Sequence, residues 1–225
     1  KAMAQGHVIP ILFASAKLGV GISDLVHILS EEAPSPISGR SRKLKRGDEL
    51  VPVRCDVDAP FLAHVFKVSS DPHLGQVALI RVLQGKIDPE TPFLYGEDRK
   101  VRKASHIFKI EGREHPEIDQ SAWAGDIVAL GRVDDIHVDQ LLRSAAADAD
   151  LSVMPLSYPT PMFSVAVSTS NRSDDVKLGQ SLQRLSEEDP TFKFQHDPTT
   201  RELIVSGLGE IHVHVMLERL KNRFK

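Results

Sequence analysis

Hydrophobic positions along the chain change their period three times, and each change marks a different kind of element. Residues 8–14 are almost continuously apolar, the pattern of a strand covered on both faces in a parallel sheet, with Pro10 placing it at a strand start or edge. Ile22, Leu25, Val26 and Leu29 then recur at i, i+3, i+4 and i+7, which predicts a short helix burying one stripe and ending before Pro34 and Pro36. One strand and one helix cannot cover both faces of a sheet. Residues 1–38 are therefore expected to be the tail of an α/β domain that continues upstream.

From about residue 51 to residue 142 the period falls to two. Leu62, His64, Phe66 and Val68 alternate with Ala63, Val65 and Lys67, residues 70–75 make a turn, and residues 76–83 form the next strand. Gly85, Asp88-Pro89, Gly96, Gly112, Gly125 and Gly131 keep up the punctuation. Short strands at this spacing without helices between them predict a closed barrel or sandwich. Residues 39–58 read as the linker leading into it and 59–150 as the barrel. Beyond the acidic, alanine-rich stretch 145–150, Phe163, Val165 and Val167 alternate as a strand. Leu178, Leu182 and Leu185 then make a helical stripe closed by Pro190. Phe192 and Phe194 share a strand face, a reverse turn follows at 197–200 with Pro198 in its second position, and 201–205 return as a strand. Val213, Leu217, Leu220 and Phe224 stripe a second helix. This β-α-β-β-α order over 151–225 is a ferredoxin-like split βαβ fold without its last strand. The expected fold class is α+β and multidomain: an α/β remnant, an antiparallel β-barrel, and an incomplete ferredoxin-like module.

Composition narrows the functions. A length of 225 residues favours more than one domain, and 41% hydrophobic with 26% charged residues is ordinary for soluble protein. No apolar run approaches the ~20 residues of a bilayer span, and no secretion signal is visible, so a cytoplasmic protein without membrane contact is expected. Cys55, the single cysteine, reads as a small buried apolar residue. A net charge of −3 argues against a protein that coats nucleic acid. Arg40, Arg42, Lys43, Lys45 and Arg46 nevertheless crowd one short segment, either a solvated linker or a phosphate-contacting strip.

The densest candidate chemistry lies in Ser206-Gly-Leu-Gly-Glu-Ile-His-Val-His214. On a helix, His212 and His214 point to nearly opposite faces, so metal binding is not expected. Ser206 and His212 are linked only by proximity in sequence, so no catalytic residue is assigned. Gly207 and Gly209 would permit a tight strand-to-helix turn, with Glu210 interacting favourably with the free N–H groups of the first helical turn.

Two segments carry a family resemblance. Leu182-Gln-Arg-Leu-Ser-Glu-Glu-Asp-Pro-Thr-Phe192, followed by Ser206-Gly-Leu-Gly-Glu-Ile-His212, resembles the third domain of bacterial elongation factor G, the ribosomal translocase. Ala59-Pro-Phe-Leu-Ala-His-Val-Phe-Lys67, Ile80-Arg-Val82 and Ala124-Gly-Asp-Ile-Val-Ala129 look like that family's second domain. Ser15-Ala16-Lys17 is similar to the last guanine-recognition motif of its GTPase domain, in which the alanine amide faces guanine O6. The resemblance implies a piece of a GTPase acting on ribosomal RNA and proteins, monomeric, with GTP and Mg2+ as cofactors of the intact parent. It also implies that the turn of Gly207, Gly209, Glu210 and His212 faces the GTPase switch region or the ribosome. Lys67, Arg81, Lys100 and Arg102 on the barrel are the candidate RNA contacts.

The sequence holds no Gly-x-x-x-x-Gly-Lys-[Ser/Thr] phosphate loop, so these residues alone are expected neither to bind GTP tightly nor to hydrolyse it, and no cofactor is expected here. Two departures fit a paralogue serving ribosome recycling, protection or regulation as readily as the principal translocase: His214 stands where the family usually has an acid, and His137-Val138-Asp139-Gln140-Leu141 replaces a Thr-Gly-Asp-Thr-Leu motif. A non-enzymatic RNA-binding module is the alternative from another class. The relative orientation of barrel and ferredoxin-like module is expected to vary.

Overall fold

The computed structural model describes residues 2–3, 6–71, 74–96, 101–112, 114–133, 135–144, 150–169 and 174–223. Lys100, the stretch 145–149 and Phe224, all used in the sequence reading, lie outside them.

Residues 8–14 do not form the expected buried strand. Among the described residues no strand pairs with them, one backbone bridge joins Ser15 to Val20, and Phe13 is 90% exposed. An apolar run becomes a covered strand only where a ladder partner and two packing layers exist. Helix α1 (Ile22–His27) does form and runs into a π-helical turn (Ile28–Glu32) that ends at Ala33, before Pro34. Its apolar stripe is not buried as expected: Leu25, Val26 and Leu29 are exposed.

The middle of the chain is built from β1 (Arg42–Arg46), β2 (Glu49–Val53), β3 (Leu62–Asp71), β4 (Gly75–Gln84), β5 (Lys86–Ile87), β6 (Pro92–Tyr95), β7 (Arg102–Lys103), β8 (His106–Phe108), β9 (Ala122–Trp123), β10 (Ile127–Gly131), β11 (Leu141–Arg143) and β12 (Leu151–Ser152). Seven strands make one curled antiparallel sheet in the order β7-β6-β11-β3-β4-β10-β8. Its concave side closes over Ala63, Val65, Ile80, Phe93, Ile107 and Leu142. A second sheet, β12-β1-β2, packs Leu44 and Val53 against Leu62, Leu83 and Leu141. The stretch read as a linker thus supplies a hairpin of its own, and residues 151–152 join that hairpin.

The alternation expected through β3 breaks at Phe66. Val65 pairs with Ile80 and Lys67 with Leu79, leaving Phe66 as an extra residue in a β-bulge. The bulge returns Val68 to the core beside Ala63 and Val65 and turns Phe66 outward. Gly85 just after β4 is required twice over: its φ is +66°, and a Cβ would come within 2.6 Å of the Ala59 carbonyl oxygen.

The last third follows the predicted order: β13 (Phe163–Val167), α2 (Asp175–Glu188), β14 (Lys193–His196), β15 (Leu203–Gly207) and α3 (Glu210–Arg223). The sheet runs β13-β15-β14, all antiparallel, so the middle strand is the last in sequence. Both helices cover one face. Leu182 and Leu185 of α2, Phe192, Val205, and Val213 and Met216 of α3 are fully buried there. Met216 extends the stripe read from the sequence; Leu217 and Leu220 are only partly buried. Ahead of β15, the Asp197 carboxylate accepts the N–H groups of Thr199 (2.8 Å) and Thr200 (2.9 Å), which sets the turn and lowers its pKa.

Candidate functional site

Strand β15 ends at Gly207 and α3 begins at Glu210, so the sheet hands over to the helix in two residues. His212 holds that turn. Its Nδ1 accepts the Leu208 N–H at 3.0 Å, so the ring proton sits on Nε2, which donates to Asp189 Oδ2 at 3.1 Å. Asp189 caps the C-terminal end of α2, and its Oδ1 also accepts the Thr191 N–H (2.9 Å) and hydroxyl (2.6 Å). Partial burial is the largest single influence on the Asp189 carboxyl and pushes its pKa up; the two Thr191 bonds and His212 together outweigh it, and the net shift is downward. The edge of Phe192 packs on the His212 ring, centroids 6.3 Å apart.

The two glycines play different parts. A Cβ on Gly207 would lie 2.8 Å from His212 Nδ1 and 2.9 Å from Val213 Cγ2, so close approach demands glycine there. A Cβ on Gly209 would meet nothing within 4 Å. Glu210 is exposed in the first turn of α3, beside exposed Leu208, Ile211 and His214. Ser206 shares its hydrogen bond with Ser164 (2.8 Å) and not with His212, which removes a nucleophile–base pair. No three metal-ligating side chains gather among the described residues. The turn is a surface feature pinned by His212 to Leu208 and Asp189.

A second polar group lies where the two modules meet. Asp139, before β11, adopts φ +66° and faces His64 on β3, with 3.3 Å between Oδ1 and Nε2. The positive φ falls on Asp139 and not on Val138, so the family's glycine is dispensable in this turn; aspartate tolerates that region better than most residues. Burial, then the charge and hydrogen bond of Asp139, then the charge of Asp189 raise the pKa of Tyr158, which keeps its hydroxyl a donor. On the other side, Glu188 accepts the Ser70 N–H of β3 at 2.6 Å and the Arg223 guanidinium at 2.9 and 3.1 Å. Sequence reasoning did not find this joint. Glu188 and Asp189 were visible only as part of a motif, and nothing local says that adjacent acids reach different partners.

The remaining candidates are dispersed. Ser15 donates its N–H to Val20 O (2.9 Å) and its Oγ accepts the Leu18 N–H (3.3 Å), leaving Ala16 and Lys17 exposed at the tip of that turn. Lys67 is exposed on β3 and Arg81 half-buried on β4. Arg102 lies on edge strand β7 over the Tyr95 ring, three strand spacings from β3, roughly 14 Å at ~4.8 Å per strand. Arg102 thus lies apart from Lys67 and Arg81 along the sheet. Arg81 lines a cavity of about 360 Å3 with Arg40, Arg42 and Cys55, and Cys55 is partly exposed there, contrary to the buried apolar residue expected from its isolation in the sequence. Lys100, the fourth candidate, lies outside the described residues.

A curled β-barrel module followed by a ferredoxin-like βαββα module defines a multidomain α+β protein of the translation-factor type. Comparison with known proteins agrees region by region. Residues 60–139 match the family profile described as elongation factor G domain 2, and residues 158–225 match that of elongation factor G, domain III. An elongation factor G-like protein of Thermotoga maritima is 34% identical over 98% of this chain, and an elongation factor G 1 of Syntrophomonas wolfei is 29% identical over 98%. The chain covers 32% and 33% of those proteins, so it spans about a third of their length. A crystal structure of a Thermus thermophilus protein superposes with a TM-score of 0.76 at 28% identity, covering 98% of this chain and 30% of that one. The chain belongs to the elongation factor G family and carries its second and third domains. Among the described residues no helix is long and apolar enough to cross a membrane.

Proposed function

We propose that this chain is part of a ribosome-associated translation GTPase of the elongation factor G type, in which GTP and Mg2+ bound by the intact protein drive translocation. The observation that carries the reading is the occurrence of both family domains in the family's order along one chain. Within it, Ser15-Ala16-Lys17 would offer guanine a backbone amide, and the turn of Gly207, Glu210 and His212 would meet the switch region or the ribosome. The chain itself contributes no phosphate cradle, so its expected role is to transmit a nucleotide state and not to hydrolyse GTP.

The test is ribosome co-sedimentation of the intact protein with a non-hydrolysable GTP analogue and with GDP. Nucleotide-dependent ribosome binding and ribosome-stimulated GTP hydrolysis are expected; their absence would refute the reading. Micromolar GTP affinity in the 225-residue chain would overturn the assignment of nucleotide binding to the rest of the protein. A second reading, a paralogue serving recycling, protection or regulation, rests on the sequence departures at His214 and at residues 137–141. Ribosome binding without support of translocation would select it.

A further inference from the structure

Glu188, the last residue of α2, stands between the barrel and the last turn of α3. On the barrel side its Oε1 accepts the Ser70 N–H at 2.6 Å. On the other side Arg223 Nη1 donates to Oε1 at 3.1 Å and to Oε2 at 2.9 Å. One guanidinium nitrogen thus bridges both oxygens and fixes the rotation of the carboxylate about its axis. The Ser70 donor needs an acceptor from outside the sheet. Strand β11 pairs with β3 only at Leu62, Ala63 and His64, so beyond the Phe66 bulge the side of β3 that faces away from β4 has no strand partner among the described residues. A free edge donor of this kind takes water or a foreign acceptor, and here Glu188 fills the place. The two halves of the ion pair differ in access to water: the Glu188 side chain is 9% exposed and that of Arg223 40%.

We propose that Arg223 is a positioning residue for the joint between the two modules, acting through Glu188 to hold the edge of β3 docked on the end of α2. An enclosed carboxylate needs its charge compensated, and one backbone N–H is not enough for that. Arg223 is the exposed half of the pair, so water enters where the guanidinium leaves. The carboxylate then turns toward that water, and Ser70 loses its acceptor. The last turn of α3 and the edge of β3 are thereby coupled through a single side chain. Whatever displaces Arg223 undocks the barrel, and whatever draws β3 away leaves Arg223 less firmly held, since a coupling between two sites acts equally in both directions. This device is a property of the 225-residue chain and does not rest on the ribosomal reading.

Hydrogen exchange of the Ser70 amide, followed by nuclear magnetic resonance on the isotopically labelled 225-residue chain, reads the docked state directly. Arg223→Gln should speed that exchange about tenfold, equivalent to about 1.4 kcal/mol, while the amides of Leu182 and Val213 in the module core keep their protection. Glu188→Ala removes the acceptor itself and should speed exchange at least as much. Adding Arg223→Gln to it should change nothing further, because the arginine acts through the carboxylate. Lys221→Gln removes a charge from the same last turn of α3 and should leave Ser70 exchange unchanged. An unchanged Ser70 rate in Arg223→Gln overturns the proposal. So does equal acceleration by Lys221→Gln, which would make the effect one of the helix end, and so do additive effects of Arg223→Gln and Glu188→Ala, which would give Arg223 a route of its own. If Glu188→Ala does not fold, the comparison of Arg223→Gln with Lys221→Gln, both at exposed positions, still decides. Ribosome binding of the intact protein is an independent reading: if it occurs while Arg223→Gln leaves Ser70 unchanged, the coupling fails and the proposed function stands.

Discussion

Removing the His212 imidazole should loosen the strand-to-helix turn by an amount that can be worked out from its contacts. His212→Ala deletes the bond from the Leu208 N–H, about 0.5–1.5 kcal/mol for a neutral pair, and the bond to the Asp189 carboxylate, about 1.5–3 kcal/mol for a charged acceptor. The lower ends apply. Asp189 keeps both Thr191 donors, and Leu208 is exposed, so water can replace the lost partner. With the edge contact to Phe192 the expected loss is roughly 2–3 kcal/mol. Gly207→Ala attacks the same turn from the other side. Its Cβ must displace His212 and Val213, an overpacking cost of about 1–3 kcal/mol.

The two changes should not add. Without the imidazole the 2.8 Å clash at Nδ1 disappears while the 2.9 Å clash with the fully buried Val213 remains. Gly207→Ala should therefore cost about 1 kcal/mol less in the His212→Ala background. Urea unfolding followed at 222 nm reports mainly α2 and α3, while fluorescence of the single Trp123 on β9 reports the barrel. A His212→Ala protein within about 0.5 kcal/mol of the parent, or strict additivity with Gly207→Ala, would refute the account of the turn.

Three further outcomes follow from the same contacts. Because burial, only partly offset by Asp139 and reinforced by Arg42, lowers the pKa of His64, the unfolded chain takes up that proton first; barrel stability should fall as pH drops below about 6.5, and His64→Gln should flatten that slope in pH-dependent urea melts. The lowered pKa of Asp189 works in a more acidic window: its contribution is present above about pH 4 and lost below it, so Asp189→Asn should remove part of the acid sensitivity seen at 222 nm. Glu188→Gln should weaken the bonds from Ser70 and Arg223, so that in parallel urea melts the barrel and helix transitions lie further apart in the variant than in the parent.

Much of the ferredoxin-like module was legible because its signals are local. The alternation of Phe163, Val165 and Val167 and the stripe of Leu178, Leu182 and Leu185 need only neighbours a turn or a residue away, and each appears in its element as read. The failures share the opposite property. Whether residues 8–14 become a covered strand depends on partners distant in sequence. The Phe66 bulge depends on a partner strand one residue shorter in register. The Gly-Leu-Gly turn was visible as a turn, but that His212 would lock it through Asp189 depends on where α2 ends in space. Arg40, Arg42 and Arg81 were each noticed; that they share one cavity is a statement about β4 and the 34–42 segment together.

The chemistry of the joint between the modules bears on how such a protein could move. The end of α2 carries two adjacent acids with different duties: Glu188 reaches the barrel backbone at Ser70 and the last turn of α3, while Asp189 reaches the first turn of α3 through His212. Bonds within the module are backed by fully buried Leu182, Leu185, Val213 and Met216, so breaking them exposes core. The bond to the barrel, by contrast, is between a backbone N–H and a carboxylate, and water can take either partner at a net cost of only about 1.5–3 kcal/mol. Tyr158, 39% exposed between Asp139 and Asp189, has the same character. Among the described residues the geometry within each module is fixed by packing, whereas the contacts named between them are polar, the energetic arrangement that would let two rigid bodies reorient without either one unfolding.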